Sequence, residues 1–218
     1  MIMKKQYFLL MAMFLAVGLA FTACSSDDDD DDSVTTVDKR ITQVIPDTLL
    51  KKVESYVTFY DGVTPPNVEG VYYLDPQVLV KSNLTNDTPG KTYNSQYHRY
   101  SNQNSSKRTI DMLYVSVSEK EYQKGSGAFI SGYDDKFTIY FNCTGKNGDV
   151  PFKQAIVVSG IVTDDGVKDL QWAFVMIEKG SDPKHTVVEP GTIRSFKDSD
   201  GFSERKSEWP YGTKYDNL

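Results

Sequence analysis

Two cysteines, two histidines and scattered acids are what this chain of 218 residues offers for nucleophilic, acid–base or metal chemistry. His98 and His185 stand far apart, too few for a histidine metal triad and with no readable serine–histidine–acid set. Cys143 lies in Phe-Asn-Cys-Thr, with no local base or cation to activate its thiol, and reads as a small half-buried residue. Asp134-Asp135 and Asp164-Asp165 read as turns, because Asp tolerates the positive φ that tight hairpins require. Gly125-Ser126-Gly127 has no helix pattern after it and so is no phosphate cradle. Asp198, Asp200 and Glu204 place oxygen ligands at alternating positions around Gly201, as calcium loops do, but further acidic positions and the full spacing to a bidentate Glu are missing. A solvated turn is expected there. These residues predict neither an enzyme nor a bound cofactor or metal.

The remaining thiol, Cys24, stands in a different setting. Lys4 and Lys5 precede the uncharged, almost wholly apolar run from Tyr7 to Ala20, which is shorter than the roughly 20 residues of a permanent membrane helix. Residues 1–23 therefore read as a secretory signal. Phe21-Thr22-Ala23-Cys24 resembles the lipobox of bacterial lipoproteins, with Phe21 where leucine is usual. That resemblance implies that the Cys24 thiol accepts a diacylglyceryl group and becomes the mature N-terminus, held in the membrane by more than one acyl chain. With Cys24 modified, Cys143 has no disulfide partner within the chain.

Behind Cys24 come six consecutive aspartates, Asp27–Asp32, whose mutual repulsion keeps them solvated and extended. Residues 24–44 thus read as a disordered tether. An acidic stretch at this position also resembles the export signal of Bacteroidetes lipoproteins, which implies the outer face of the outer membrane. The net charge is −6 overall, and removing the two signal lysines and the six aspartates leaves −2 for residues 33–218. A near-neutral domain without a basic stripe argues against a nucleic-acid partner.

The elements that position any site follow from periodicity. Leu49, Leu50, Val53, Tyr56 and Val57 recur at helical spacing after Asp47, a candidate N-cap, and predict one amphipathic helix over 47–57. From Val68 onward, runs rich in Val, Ile, Tyr, Phe and Thr predict eight strands, about 68–74, 77–82, 95–103, 108–118, 126–133, 136–144, 152–163 and 167–179. Short links predict a mainly β fold, an antiparallel eight-stranded barrel built as a sequential meander. Phe137, Ile139 and Phe141 alternate with Thr138, Tyr140 and Asn142, the pattern of one buried and one wetter face. In the last strand both faces are apolar, so the helix is expected to cover its outer side near Val175. The folded domain is assigned to 45–197, with one further short strand within 187–196, and 198–218 is read as a polar tail.

The segment Pro65-Pro66-Asn67-Val68-Glu69-Gly70-Val71-Tyr72 resembles the opening strand of lipocalin-like (calycin-type) barrels. It is most similar to uncharacterised lipocalin-like lipoproteins of Bacteroidetes, with Tyr72 where tryptophan is expected. The resemblance implies a ligand cavity. Its candidate lining is Tyr72, Tyr97, Tyr114, Phe129, Tyr140, Trp172 and Phe174, and the expected function is non-catalytic binding of a small apolar or amphipathic molecule by a surface-anchored lipoprotein. Fourteen tyrosines and two tryptophans also suit stacking on sugars, so a glycan-binding accessory role in nutrient uptake stands beside it, as does a structural or protein-interaction role.

Overall fold

The computed structural model describes residues 39–217. The signal segment, Cys24 and Asp27–Asp32 lie outside the described residues. Two short helices, α1 (Lys39–Val44) and α2 (Asp47–Val53), lead into the strands. These are β1 (Gly70–Leu74), β2 (Gln77–Ser82), β3 (Thr92–Tyr93), β4 (Gln96–Asn104), β5 (Thr109–Ser116), β6 (Glu121–Tyr133), β7 (Lys136–Asn147), β8 (Val150–Val162), β9 (Gly166–Lys179), β10 (Ile193–Asp198) and β11 (Phe202–Lys206). All eleven join one antiparallel sheet in the order β11-β1-β4-β5-β6-β7-β8-β9-β10-β2-β3. Because β11 pairs with both β1 and β9, eight of the strands form a partial ring.

The strands from β5 to β9 follow one another as expected, and their turns carry the expected residues. Asp134 adopts φ 52° in the two-residue link between β6 and β7, and Gly148 adopts φ 58° between β7 and β8. Two features depart from a sequential meander. β2 leaves the ring, and β1 pairs directly with β4, while β2 pairs with β10. The place beside β1 is taken by β11, which lies within the stretch read as a polar tail. A five-residue strand of Phe, Ser, Glu, Arg and Lys carries too little apolar alternation to be recognised. It is held by its two neighbours and by Arg205, which donates to Tyr72 Oη at 2.7 Å and to Glu69 O at 2.8 Å.

The core has three layers. Inside the ring, Tyr72, Tyr100, Ile110, Tyr114, Phe137, Ile139, Phe141, Val158 and Leu170 pack with Trp172 and Phe174. Outside it, Ile41, Ile45, Leu50, Val53 and Val57 cover Phe129, Tyr140, Ala155, Val157, Ala173 and Val175. The helical region therefore lies over the outer face around Val175, as the two apolar faces of the last long strand require. A third cluster joins Leu113, Val115 and Tyr215, with Tyr122, Trp209 and Tyr211 packed against it.

Several local expectations are corrected. Helix α2 ends at Val53 rather than near residue 57, because the Tyr56 N–H donates to Val53 O and tightens the chain into a turn. Pro46, not Asp47, occupies the N-cap position, and its carbonyl accepts from the Leu49 and Leu50 N–H groups. Helix α1 starts at Lys39, inside the stretch 24–44 assigned to the tether, because Ile41 and Ile45 have an apolar sheet face to bury against. Thr138 and Tyr140 are fully buried rather than wet, since the segment before β1 covers them: Thr138 Oγ1 accepts from the Tyr60 N–H at 2.7 Å.

Candidate functional site

The seven aromatic residues proposed as one cavity lining occupy three different layers. Tyr72, Tyr114, Trp172 and Phe174 point into the ring, Phe129 and Tyr140 lie beneath the helices, and Tyr97 is half-buried on the outer surface. Alternation explains the scatter. The inward face of each strand is fixed only by pairing register, and Tyr140 and Phe141 are adjacent on one strand yet serve opposite layers. Inside the ring the aromatics meet each other. Trp172 stacks on Phe196 at 4.8 Å between ring centroids, Tyr114 lies 6.2 Å from Trp172, and Tyr100 stacks on Phe141 at 6.4 Å.

Polar side chains are built into that interior. His98 is buried, and its Nδ1 lies 2.9 Å from the Tyr100 hydroxyl. Burial holds its pKa down to about 3, so the imidazole is neutral. Gln77 Nε2 donates to Asn94 O at 3.0 Å and to Gln96 Oε1 at 3.1 Å. Buried atoms here without a protein partner include Gln77 Oε1, Gln96 Nε2, His98 Nε2, Trp172 Nε1 and Asp198 Oδ1. Each unpaired polar group of this kind costs about 1–3 kcal/mol.

A recess lies elsewhere, on the outer surface where β6, β7, β8 and β9 run beyond the helical cover. It is an open groove of about 600 Å³ lined by Tyr122, Lys124, Thr144, Gly145, Lys146, Pro151, Phe152, Lys153, Glu178, Lys179 and Gly180. Register builds it in two rows. Lys124 faces Thr144, Thr144 faces Lys153, and Lys153 faces Glu178; one step nearer the β7–β8 turn, Tyr122 faces Lys146 and Lys146 faces Pro151. Gly145, paired with the buried Gln123 and Phe152, lets the strands beneath these rows approach closely. A Cβ there would sit 2.3 Å from Tyr122 O and 2.8 Å from Phe152 Cζ, so no side chain fits.

The groove is electropositive. Lys153 pairs with Glu178 at 2.9 Å, and Lys179 is held by Asp182 at 3.3 Å and Glu189 at 2.6 Å. Lys124 and Lys146 have no ion-pair partner among the described residues. Asp182 also accepts from the Thr186 and Val187 N–H groups, and these bonds hold its carboxyl well below the usual range and fix the loop at one end of the groove. An apolar floor of Tyr122, Pro151 and Phe152 beneath two uncompensated cations suits a molecule with a flat apolar part and an acidic group.

The remaining chemical candidates are used structurally. Cys143 is buried in the ring interior, which pushes its thiol pKa well up. Asp198 Oδ2 accepts from Ser203 Oγ at 2.9 Å, Asp200 Oδ1 accepts from the Phe202 N–H at 2.9 Å, and Gly201 adopts φ 82°, so the calcium-like run is the tight turn that joins β10 to β11. Among the described residues no three His, Cys, Asp or Glu side chains gather as a metal site would require. His185 is an exposed loop residue, 4.0 Å from Glu189.

Sequence reasoning passed over the groove lysines. Their signal was faint: basic residues at the ends of four successive long strands, dispersed over more than fifty positions and assembled only by pairing. Family models, curated proteins and solved structures were all compared with this chain, and none matches it.

Proposed function

We propose that this protein is a non-catalytic binding protein that takes a small amphipathic molecule with an acidic group in the outer groove of β6–β9. One observation carries the reading: a recess of about 600 Å³ joins an apolar floor to Lys124 and Lys146, cations that no described carboxylate neutralises. Its volume falls in the range of about 300–1,000 Å³ usual for small-ligand sites. The ligand is thereby moved from the ring interior, where Tyr72, Tyr114, Trp172 and Phe174 pack against one another, to the surface. In this proposal the partial ring is a lipocalin-like, calycin-type scaffold that holds the groove rigid. Acylated Cys24 and the Asp27–Asp32 tether are the proposed means of holding it at the outer membrane, on the cell surface.

The test is a titration of the full chain with 1-naphthyl phosphate and with uncharged 1-naphthol, followed by fluorescence. The phosphate should bind the tighter of the two, and a Lys124→Gln/Lys146→Gln double variant should weaken it about tenfold or more, equivalent to about 1.4 kcal/mol. Equal affinity for both compounds, or no response to the double variant, would sink the proposal. The anchor is tested separately by the mass of the N-terminal peptide, which should carry acyl chains on Cys24 and lose them in Cys24→Ser.

Glycan binding is favoured by a separate observation. Tyr73, Tyr97, Trp209 and Tyr211 form a half-buried aromatic group on the outer surface, with Tyr73 and Tyr97 rings 4.6 Å apart and Arg99 over Trp209 at 5.0 Å. On this second reading Tyr97→Ala abolishes oligosaccharide binding while the lysine variant leaves it intact.

A further inference from the structure

Irregular pairing of β4, β5 and β6 opens a second recess on the same outer face. β4 and β6 each carry an extra residue beside β5: Asn102 and Gln103 together stand against Ile110, and Ser126 and Gly127 together stand against Asp111. Asn102 adopts φ 55° and Gly127 φ 65°, and both turn donors onto the Asp111 carboxylate, Asn102 Nδ2 to Oδ2 at 2.9 Å and the Gly127 N–H to Oδ1 at 2.7 Å. Around this bulged stretch lies a recess of about 150 Å³, whose walls include Arg99, Asp111, Lys124, Ser126 and Asp216. Arg99, Leu113 and Lys124 stand opposite one another across the three strands, and the same row continues through Thr144 and Lys153 to Glu178 in the larger groove. Lys124 lines both recesses.

We propose, building on the groove reading above, that the two recesses hold one molecule whose polar head is a zwitterion, an α-amino acid with an apolar side chain. The charges specify the class. Arg99 is engaged by Asp216 at 2.6 Å and lies over Trp209. Among the described residues Asp111 has only the neutral donors of Asn102 and Gly127, and Lys124 has no carboxylate partner. The recess therefore keeps one unmatched charge of each sign. They do not pair with each other, because Lys124 stands opposite Leu113, and Asp111 lies two residues further along β5, about 7 Å along the strand. An α-amino acid carries its ammonium and carboxylate on one carbon, so a single head sets the ammonium against Asp111 and the carboxylate against Lys124. A simple acid leaves Asp111 facing the ligand's own negative charge, and a simple amine leaves Lys124 facing a positive one. With the head so placed, the side chain runs past Lys124 toward Tyr122 and Pro151 of the larger groove.

The experiment is calorimetric titration of the full chain with L-phenylalanine, with phenylpropionate, which lacks the ammonium, and with phenethylamine, which lacks the carboxylate. Phenylalanine should bind about tenfold tighter or more than either. Asp111→Asn, which keeps an acceptor for the Gly127 N–H, should bring phenylalanine down to the level of phenylpropionate without weakening naphthyl phosphate. If that variant does not fold, Ser126→Phe, at an exposed position on the rim, fills the recess and should remove the same preference. Phenylpropionate equal to phenylalanine, or a preference that survives Asp111→Asn, overturns the zwitterion site; naphthyl phosphate still bound in that case leaves the groove reading standing. Binding of neither phenylalanine nor naphthyl phosphate overturns both.

Discussion

Burial pushes the Glu121 carboxyl up to about 7, while the Tyr114 hydroxyl and Arg194 favour its charged form and only partly offset that push. The unfolded chain gives up this proton near 4.5, so between 4.5 and 7 the folded state binds more protons than the unfolded one. The stability contributed by Glu121 is therefore complete below pH 4.5 and is lost as pH rises toward 7. Because the side chain keeps some accessible surface, the expected loss is about 1–3 kcal/mol. His98 works in the opposite sense: its pKa is held down to about 3, so its contribution is complete above 6.5 and lost as pH falls. Urea melts at pH 5.0 and 7.5 should show that Glu121→Gln gains relative to the parent at the higher pH; an equal difference at both values would contradict the assignment. Cys143 gives a simpler check. In Cys24→Ser, a thiol reagent should label nothing in the native chain and one site in denaturant, since the remaining sulfur is enclosed in the ring. Cys143, read from its neighbours as half-buried, is fully buried, and the enclosure of His98 was not readable, because a strand reading Gln-Tyr-His-Arg-Tyr looks polar until its inward face is known.

The helical segment and the long hairpins show where periodicity suffices. Leu50, Val53 and Val57 are buried on the sheet as their spacing requires, and the turns at Asp134 and Gly148 follow from residues that accept positive φ. Leu50→Ala should cost about 2–4 kcal/mol in urea unfolding, while Leu49→Ala, at a half-buried position, should cost less than half as much. The groove was illegible for a different reason. Lys124, Thr144, Lys153 and Glu178 become neighbours only through three successive registers, and a one-residue slip in any of them would carry a lysine to the opposite face. Gly145 is the test of that register. Gly145→Ala places a methyl against the Tyr122 carbonyl and the Phe152 ring, and should destabilise by about 1–3 kcal/mol while distorting the groove. A variant with unchanged melting and unchanged naphthyl phosphate binding would show that the two strands do not approach as described.

At the scale of the molecule, composition and strand count gave a mainly antiparallel β domain, and the order of the strands was out of reach. Adjacent pairing is the default, so β2 was expected beside β1 and residues 198–218 were left outside the domain. In the structure β2 is drawn to β10, and the vacated edge of β1 is met by β11, with Arg205 bonded to a Tyr72 that lies 133 residues earlier. Trp209, Tyr211 and Tyr215 then pack on the outer side, and Arg99 pairs with Asp216 at 2.6 Å. These contacts make the last stretch part of the domain. Ending the chain after Ser199 should therefore leave a protein that is rapidly cleaved by protease and lacks a cooperative melt; retention of a sharp transition would show that the ring does not depend on β11.

Position along the chain gives the closing strand a temporal meaning. Synthesis delivers β1 early and β11 late, so through much of elongation β1, joined towards the end by the start of β9, presents an unmatched backbone edge, the kind of surface on which two unfinished chains pair with each other. Any nascent copy therefore remains open to such mispairing until its final strand emerges, and a holding factor acting before that moment would protect it more than one acting afterwards.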